Sequence, residues 1–163
     1  AVMQVMLAIY DAQREYATRD RNGDGVLEYA GKFSSAPGKK DGLYWPNNAN
    51  EEASPLGPAV AAARAAGSSG AAGYYGYRYK ILTSQGKNAP GGAYDYVARG
   101  RMIGGFAAVA WPVKYGDTGV MTFMVSQDGV VYQKDLGPNT AALASAMTRF
   151  DPDSTWEKVD PGT

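Results

Sequence analysis

A chain of 163 residues with an apolar share of 45% has enough material for one domain with a sizeable core. Sixteen basic residues balance sixteen acidic ones, so no global field draws it to nucleic acid or to an anionic membrane surface. Cysteine and histidine are both absent, which excludes thiol nucleophiles, Ser/His and Cys/His catalysis, and nearly all zinc, iron and copper site designs.

Lack of cysteine does not assign a compartment, because reduced cytosol and disulfide-free secretion both allow it. No apolar run is long enough to span a bilayer, and no stretch of this sequence is expected to act as a signal peptide. A start at Ala1 leads to the expectation of a processed or trimmed piece of something longer.

In chain order, Val2, Val5, Met6, Ile9, Ala12 and Tyr16 fall at spacings of three and four, which predicts an amphipathic helix over 2–18. Gln4, Asp11, Arg14 and Glu15 then face water. Met3, Leu7 and Tyr10 widen the apolar arc beyond what one sheet face needs. Most of that arc is expected to be core, and the part beyond it to meet another subunit or an upstream segment, giving a homo-oligomer or filament.

The stretch that follows, DRNGDGVLE, carries side-chain oxygens at Asp20, Asn22 and Asp24 with Gly25 directly after. This spacing is the first half of a calcium loop, in which alternate residues point inward and the glycine makes the turn. The Val26 carbonyl takes the fourth place and Glu28 the ninth. Gly31 stands where a bidentate glutamate belongs, so the last carboxylate must come from elsewhere, and Asp41 is the candidate. Hard oxygen donors in an irregular loop point to Ca2+ in a structural role, and a calcium-type loop tilts the location outside the cytoplasm. The competing reading is a plain helix-terminating turn, since Asp, Asn and Gly tolerate left-handed backbone and satisfy their own amides.

The metal-type loop opens a long irregular segment, 19–54, around the island Leu43, Tyr44, Trp45. A short helix is expected at 55–66, with Pro58 in its first turn and Gly67 at its end. After the small-residue turn GSSGAAG, residues 74–83 alternate as a half-buried strand and 94–98, YDYVA, as a shorter one. The continuous apolar run 102–113 predicts a central strand, and 120–126 with 130–134 flank Asp128-Gly129 as a hairpin. A last helix is expected at 140–149 within a C-terminal block, 139–163, whose polar tail is pinned by Trp156. The sum is a single α+β domain over 1–163. Its N-terminal helix packs across a roughly four-stranded antiparallel meander spanning 74–134.

The blocks DAQREYATRDRNGDGVLEYAGKF, KKDGLYWP, SPLGP, GYRYKILTSQG, GGAYDY and MIGGFAAVAWPVKYGDTGVMTFMVSQDGVVYQKDLGP, in this order over about Ala12 to Thr140, resemble the bacterial family called domain of unknown function 2950. That resemblance implies export to the cell envelope, hence a periplasmic, cell-surface or secreted protein, and assigns no activity. The helix ending in DAQREYA ahead of a sheet finishing SQDGVVY also resembles the soluble domains of type IV pilins and type II pseudopilins, which implies a pilin-like arrangement. Pilins carry a longer apolar N-terminal helix than this chain has.

Two functions remain. One is a non-enzymatic, calcium-stabilised structural or interaction module of the envelope, a pilin-like assembly subunit, with twelve tyrosines available for contacts. Its partners would be other subunits or the upstream region, met through the N-terminal helix. The alternative is a carboxylate hydrolase of glycosidase type drawing on Glu15, Glu28, Asp41, Asp95 and Asp117.

Overall fold

A computed structural model of the protein describes residues 2–57 and 74–159. From residue 58 on, the expected helix at 55–66 and the small-residue turn after it lie outside those residues. Helix α1 (Val2–Tyr16) comes first. The strands follow as β1 (Tyr77–Leu82), β2 (Ser84–Gln85), β3 (Tyr94–Asp95), β4 (Val97–Ala98), β5 (Arg101–Met102), β6 (Ala107–Pro112), β7 (Thr122–Ser126) and β8 (Val131–Lys134). Helix α2 (Thr140–Ser145), β9 (Arg149–Phe150) and β10 (Glu157–Lys158) complete the chain.

The main sheet runs β1-β6-β7-β8-β10 and is antiparallel throughout, so the architecture is α+β with the N-terminal helix on the sheet. Strand alternation sorts its side chains. Tyr77, Tyr79, Ala108, Ala110, Val125 and Val131 point to one face and bury Val5, Met6, Ile9, Ala12 and Tyr16 of α1. Leu82, Val109, Trp111, Met124 and Tyr132 point to the other, where Ala144 and Phe150 cover them. Burial on both faces explains why all six residues of β6 are buried and why its sequence is apolar without alternation. Alanines at 108 and 110 let the helix sit close. At the hairpin, Gly129 accepts φ of 75° and closes the turn by donating its amide to the Ser126 carbonyl. A Cβ there would also lie 3.1 Å from the Tyr10 ring.

Several boundaries differ from expectation, each for a local reason. The helix stops at Tyr16 and not at 18, because Thr18 turns back on the Glu15 carbonyl through both its amide (3.1 Å) and its hydroxyl (2.7 Å). YDYVA is not one strand. The Asp95 carboxylate accepts the Val97 amide at 2.9 Å, which bends the chain there and sends Tyr96 into the core. Its hydroxyl donates to Gln85 at 2.9 Å. The run 102–113 is likewise broken, into β5 and β6, as Gly104 bonds back to the Tyr96 carbonyl at 2.9 Å.

The last helix ends at Ser145, short of 149, where the Lys80 ammonium caps the Ser145 and Met147 carbonyls at 2.8 and 2.6 Å. Beyond it Arg149–Phe150 pairs in parallel with β2, outside the main sheet, and buries Phe150. The tail adds a fifth strand to the four expected, β10 on β8, with the Val159 amide bonded to Val131. Among the described residues no helix is long and apolar enough to cross a membrane.

Two stability predictions follow from these contacts. β4 and β5 are joined by Arg99-Gly100, both at positive φ (54° and 78°), a geometry that favours Asn-Gly. Arg99→Asn is expected to stabilise the protein by about 1 kcal/mol in denaturant unfolding. Gln13, fully buried in α1, holds the Ala30 backbone with two bonds: Nε2 donates to the carbonyl at 2.7 Å and Oε1 accepts the amide at 2.8 Å. Gln13→Leu leaves both backbone groups unpaired, and unfolding should show a loss of about 2–4 kcal/mol.

Candidate functional site

The loop after α1 begins where the Asp/Asn/Gly cluster replaces helical hydrogen bonds with side-chain ones. Asp20 accepts the amides of Gly23 at 3.0 Å and Gly25 at 2.7 Å. Asn22 accepts the Asp24 amide at 3.3 Å, and Asp24 the Val26 amide at 2.9 Å. Three oxygen-bearing side chains are thus turned toward the loop's own backbone, each with lone pairs left over. The Gly25 amide first, aided by those of Gly23, Asp24 and Asn22, outweighs the opposing effect of burial and holds the Asp20 carboxyl below its ordinary value.

Glu28 is in a different situation. Its Oε2 is shut away from solvent and has no hydrogen-bond partner. Burial first, then the charges of Asp24 and Asp20, push its pKa up, against the pull of Arg101. Arg101 is the residue that sequence reasoning missed. Its guanidinium, brought in on β5, lies 2.9 Å from Asp24 and 3.9 Å from Glu28. A bond from the Tyr29 amide to the Met102 carbonyl at 2.8 Å ties the loop to that strand. Nothing in the local pattern announces Arg101, since only the β4–β5 hairpin carries it to the loop.

Asp41 is not inside the loop. It sits on the facing segment, with Oδ1 accepting the Ala36 amide at 2.9 Å and Oδ2 paired to Lys32 at 3.0 Å. Burial raises its pKa, and the Ala36 amide with the Lys32 ammonium outweighs that and brings it below the usual value. Asp41 does share a cavity of about 560 Å³ with Asn22, Val26 and Glu28. Tyr16, Tyr29, Gly31 and Gly38 also line it, as do the cations Arg19, Arg21, Lys39 and Lys40. Among the described residues no three carboxylates converge closely enough to enclose an ion as they stand. The remaining acids lie elsewhere: Glu15 on the exposed face of α1, Asp95 in its bend, and Asp117 in the turn before β7.

The cleft is braced behind by Arg21. Its guanidinium pairs with both oxygens of Glu52 (3.3 and 2.9 Å), lies over the Tyr16 ring at 4.4 Å, and donates to the Tyr16 carbonyl. The Trp45 ring is 5.5 Å away, and its indole N–H donates to the Glu52 carbonyl at 2.9 Å. The apolar island at 43–45 therefore serves as core, with Leu43 and Trp45 buried.

Among curated proteins and solved structures nothing matches the chain. A family model does, over residues 1–159. The chain belongs to the family described as protein of unknown function (DUF2950).

Proposed function

We propose that the chain is a non-enzymatic, exported structural or interaction module of the bacterial cell envelope, stabilised by calcium in the Asp20–Glu28 loop. The envelope setting follows from the export that the family resemblance implies. The observation that carries the metal reading is the shut-in Glu28 Oε2, an acceptor with no donor, in a loop that already gathers Asp20 and Asp24. A small cation with oxygen preference is the partner that such an atom lacks. Side-chain oxygens of Asp20, Asn22, Asp24 and Glu28 with the Val26 carbonyl would hold it, and Asp41, on the opposite wall, would join them only by giving up its Lys32 pair. Bound calcium would offset the like charges of the loop, a task that Arg101 performs in part.

The hydrolase alternative draws on the same cleft, which Glu28 and Asp41 both line. It ranks second because the Lys32 ammonium and the Ala36 amide already engage both Asp41 oxygens.

Thermal unfolding in EDTA and in millimolar calcium tests the metal. Stability should rise by about 2.7 kcal/mol at a hundredfold excess over Kd, with magnesium doing less. Asp24→Ala should remove most of this gain, and identical wild-type curves would leave the loop a helix-ending turn. Glu28→Gln adds a sign test. A raised carboxyl pKa means that the charged form opposes folding, so Glu28's stabilising contribution is present below its ordinary value of 4.5 and lost as pH rises through the folded value. In EDTA at neutral pH, Glu28→Gln should therefore melt higher than wild type, and in calcium the order should invert.

Assembly is the finer part of the proposal. A pilin-like subunit would place α1 against a neighbour, yet Val5, Met6 and Ile9 are buried and Val2, Met3 and Leu7 pack half-buried on the same core. A contact through α1 would therefore have to be completed by small additions to an already covered face. Light scattering of the isolated chain should show a concentration-dependent dimer or larger species that Leu7→Glu abolishes, and a strict monomer would remove α1 as the interface.

A further inference from the structure

We propose that the Asn22-Gly23 pair is a site of spontaneous covalent modification, at which the asparagine side chain loses ammonia through a succinimide and becomes aspartate or isoaspartate. The reaction goes beyond the role proposed above and requires no metal.

The first requirement is set by the residue that follows the asparagine. Ring closure joins that residue's nitrogen to the asparagine Cγ, and a Cβ on it crowds the approach. Asn22 alone in the chain precedes glycine: Asn47 is followed by Asn48, Asn48 and Asn88 by alanine, Asn50 by glutamate and Asn139 by threonine.

The fold adds geometry to this choice. Asn22 Oδ1 accepts the Asp24 amide at 3.3 Å, and the ring closed by that bond contains the Gly23 nitrogen, so Cγ is folded back toward the atom that attacks it. The same Asp24 N–H points at the oxygen on which negative charge develops. Gly23 donates its own N–H to Asp20 Oδ1 at 3.0 Å, a bond in the peptide plane that leaves the face of the nitrogen free. Both residues are exposed, and beyond its chain neighbours nothing lies within 4 Å of where a Gly23 Cβ would stand, so water and base have access. Other asparagines are held by distant groups: Asn47 by the Ser54 amide at 2.8 Å and Asn88 by the Asp151 carboxylate at 3.0 Å.

Solvent base removes the Gly23 amide proton as the nitrogen bonds to Asn22 Cγ. The bond from Cγ to Nδ2 then breaks, and Nδ2 leaves, protonated, as ammonia. Water opens the succinimide at either carbonyl, with no oxidant or reductant needed. Opening at one side gives aspartate. Opening at the other gives isoaspartate, which routes the main chain through the former side chain and lengthens it by one methylene ahead of Gly23. Asp20 caps Gly23 and Gly25 across that link, so the two bonds cannot both persist. Either product sets another carboxylate between Asp20 and Asp24, opposite the single guanidinium of Arg101.

Ageing the protein in mildly alkaline buffer with EDTA, followed by tryptic peptide mass spectrometry, tests the assignment independently of calcium. The peptide 22–32 should gain one mass unit about tenfold or more faster than those containing Asn88 or Asn139, and enzymatic isoaspartate labelling should mark it. Conversion in the native protein should be at least as fast as in the urea-unfolded chain, because the fold presents the pair and does not guard it. Aged wild type should melt lower than fresh protein, whereas Asn22→Ser, which keeps an oxygen for the Asp24 amide, should not change with age. Conversion of Asn22 no faster than of Asn88, or native conversion several-fold slower than in urea, would overturn the proposal.

Discussion

Gln13 places a polar side chain in the middle of an apolar helix face, where an unpaired amide would cost several kcal/mol, and meets that cost through one backbone residue, Ala30. The bond pair closes a loop of non-regular chain onto α1 where no strand or helix could do so. The end of the acidic loop is held by that closure together with the Tyr29 amide on the Met102 carbonyl. The acidic loop is offered to Arg101, Glu28 is enclosed, and the cleft has a fixed wall, because Ala30 cannot drift from the helix. The interaction is directional in a way that apolar burial is not, so it sets position where the neighbouring Ala12 contributes burial without register.

The same loop has a second anchor. Arg21 is nearly enclosed between Tyr16 and Trp45 and matched to Glu52 in fork geometry, an arrangement that lysine could not reproduce. Helix end, acidic loop and the segment around Trp45 thus converge on one guanidinium. Removal of Glu52 would leave that charge enclosed and unpaired, which is why this pair acts more as a geometric pin than as a source of net stability.

The regular part of the fold was legible in the sequence because its signals are periodic. Residues of α1 at spacings of three and four, alternation along Tyr77 and Tyr79, and Asp128-Gly129 between apolar runs each report a local geometry that tertiary contacts then reinforce. The boundaries that moved did so where a distant group intervened: Lys80 at the end of α2, Gln85 drawing Tyr96 inward, β2 recruiting Phe150. The same distinction holds for the candidate site. Asp20, Asn22, Asp24 and Glu28 could be read from spacing, whereas Arg101 and Gln13 act through contacts far apart in sequence and carry no local mark. Asp41 was placed by elimination, and it reaches the shared cleft on the opposite wall, with partners of its own.

The order of the sheet has a consequence in time. α1 is the first element in the chain, yet the residues that cover it include Val125 and Val131, and the edge strand β10 comes at the far end. In a growing chain α1 therefore stays uncovered until the β7–β8 hairpin has been made. Contacts of such long sequence separation make folding slow relative to helix formation. Met6 and Ile9 stay open to contact with other chains until that hairpin arrives, the interval in which aggregation competes with folding.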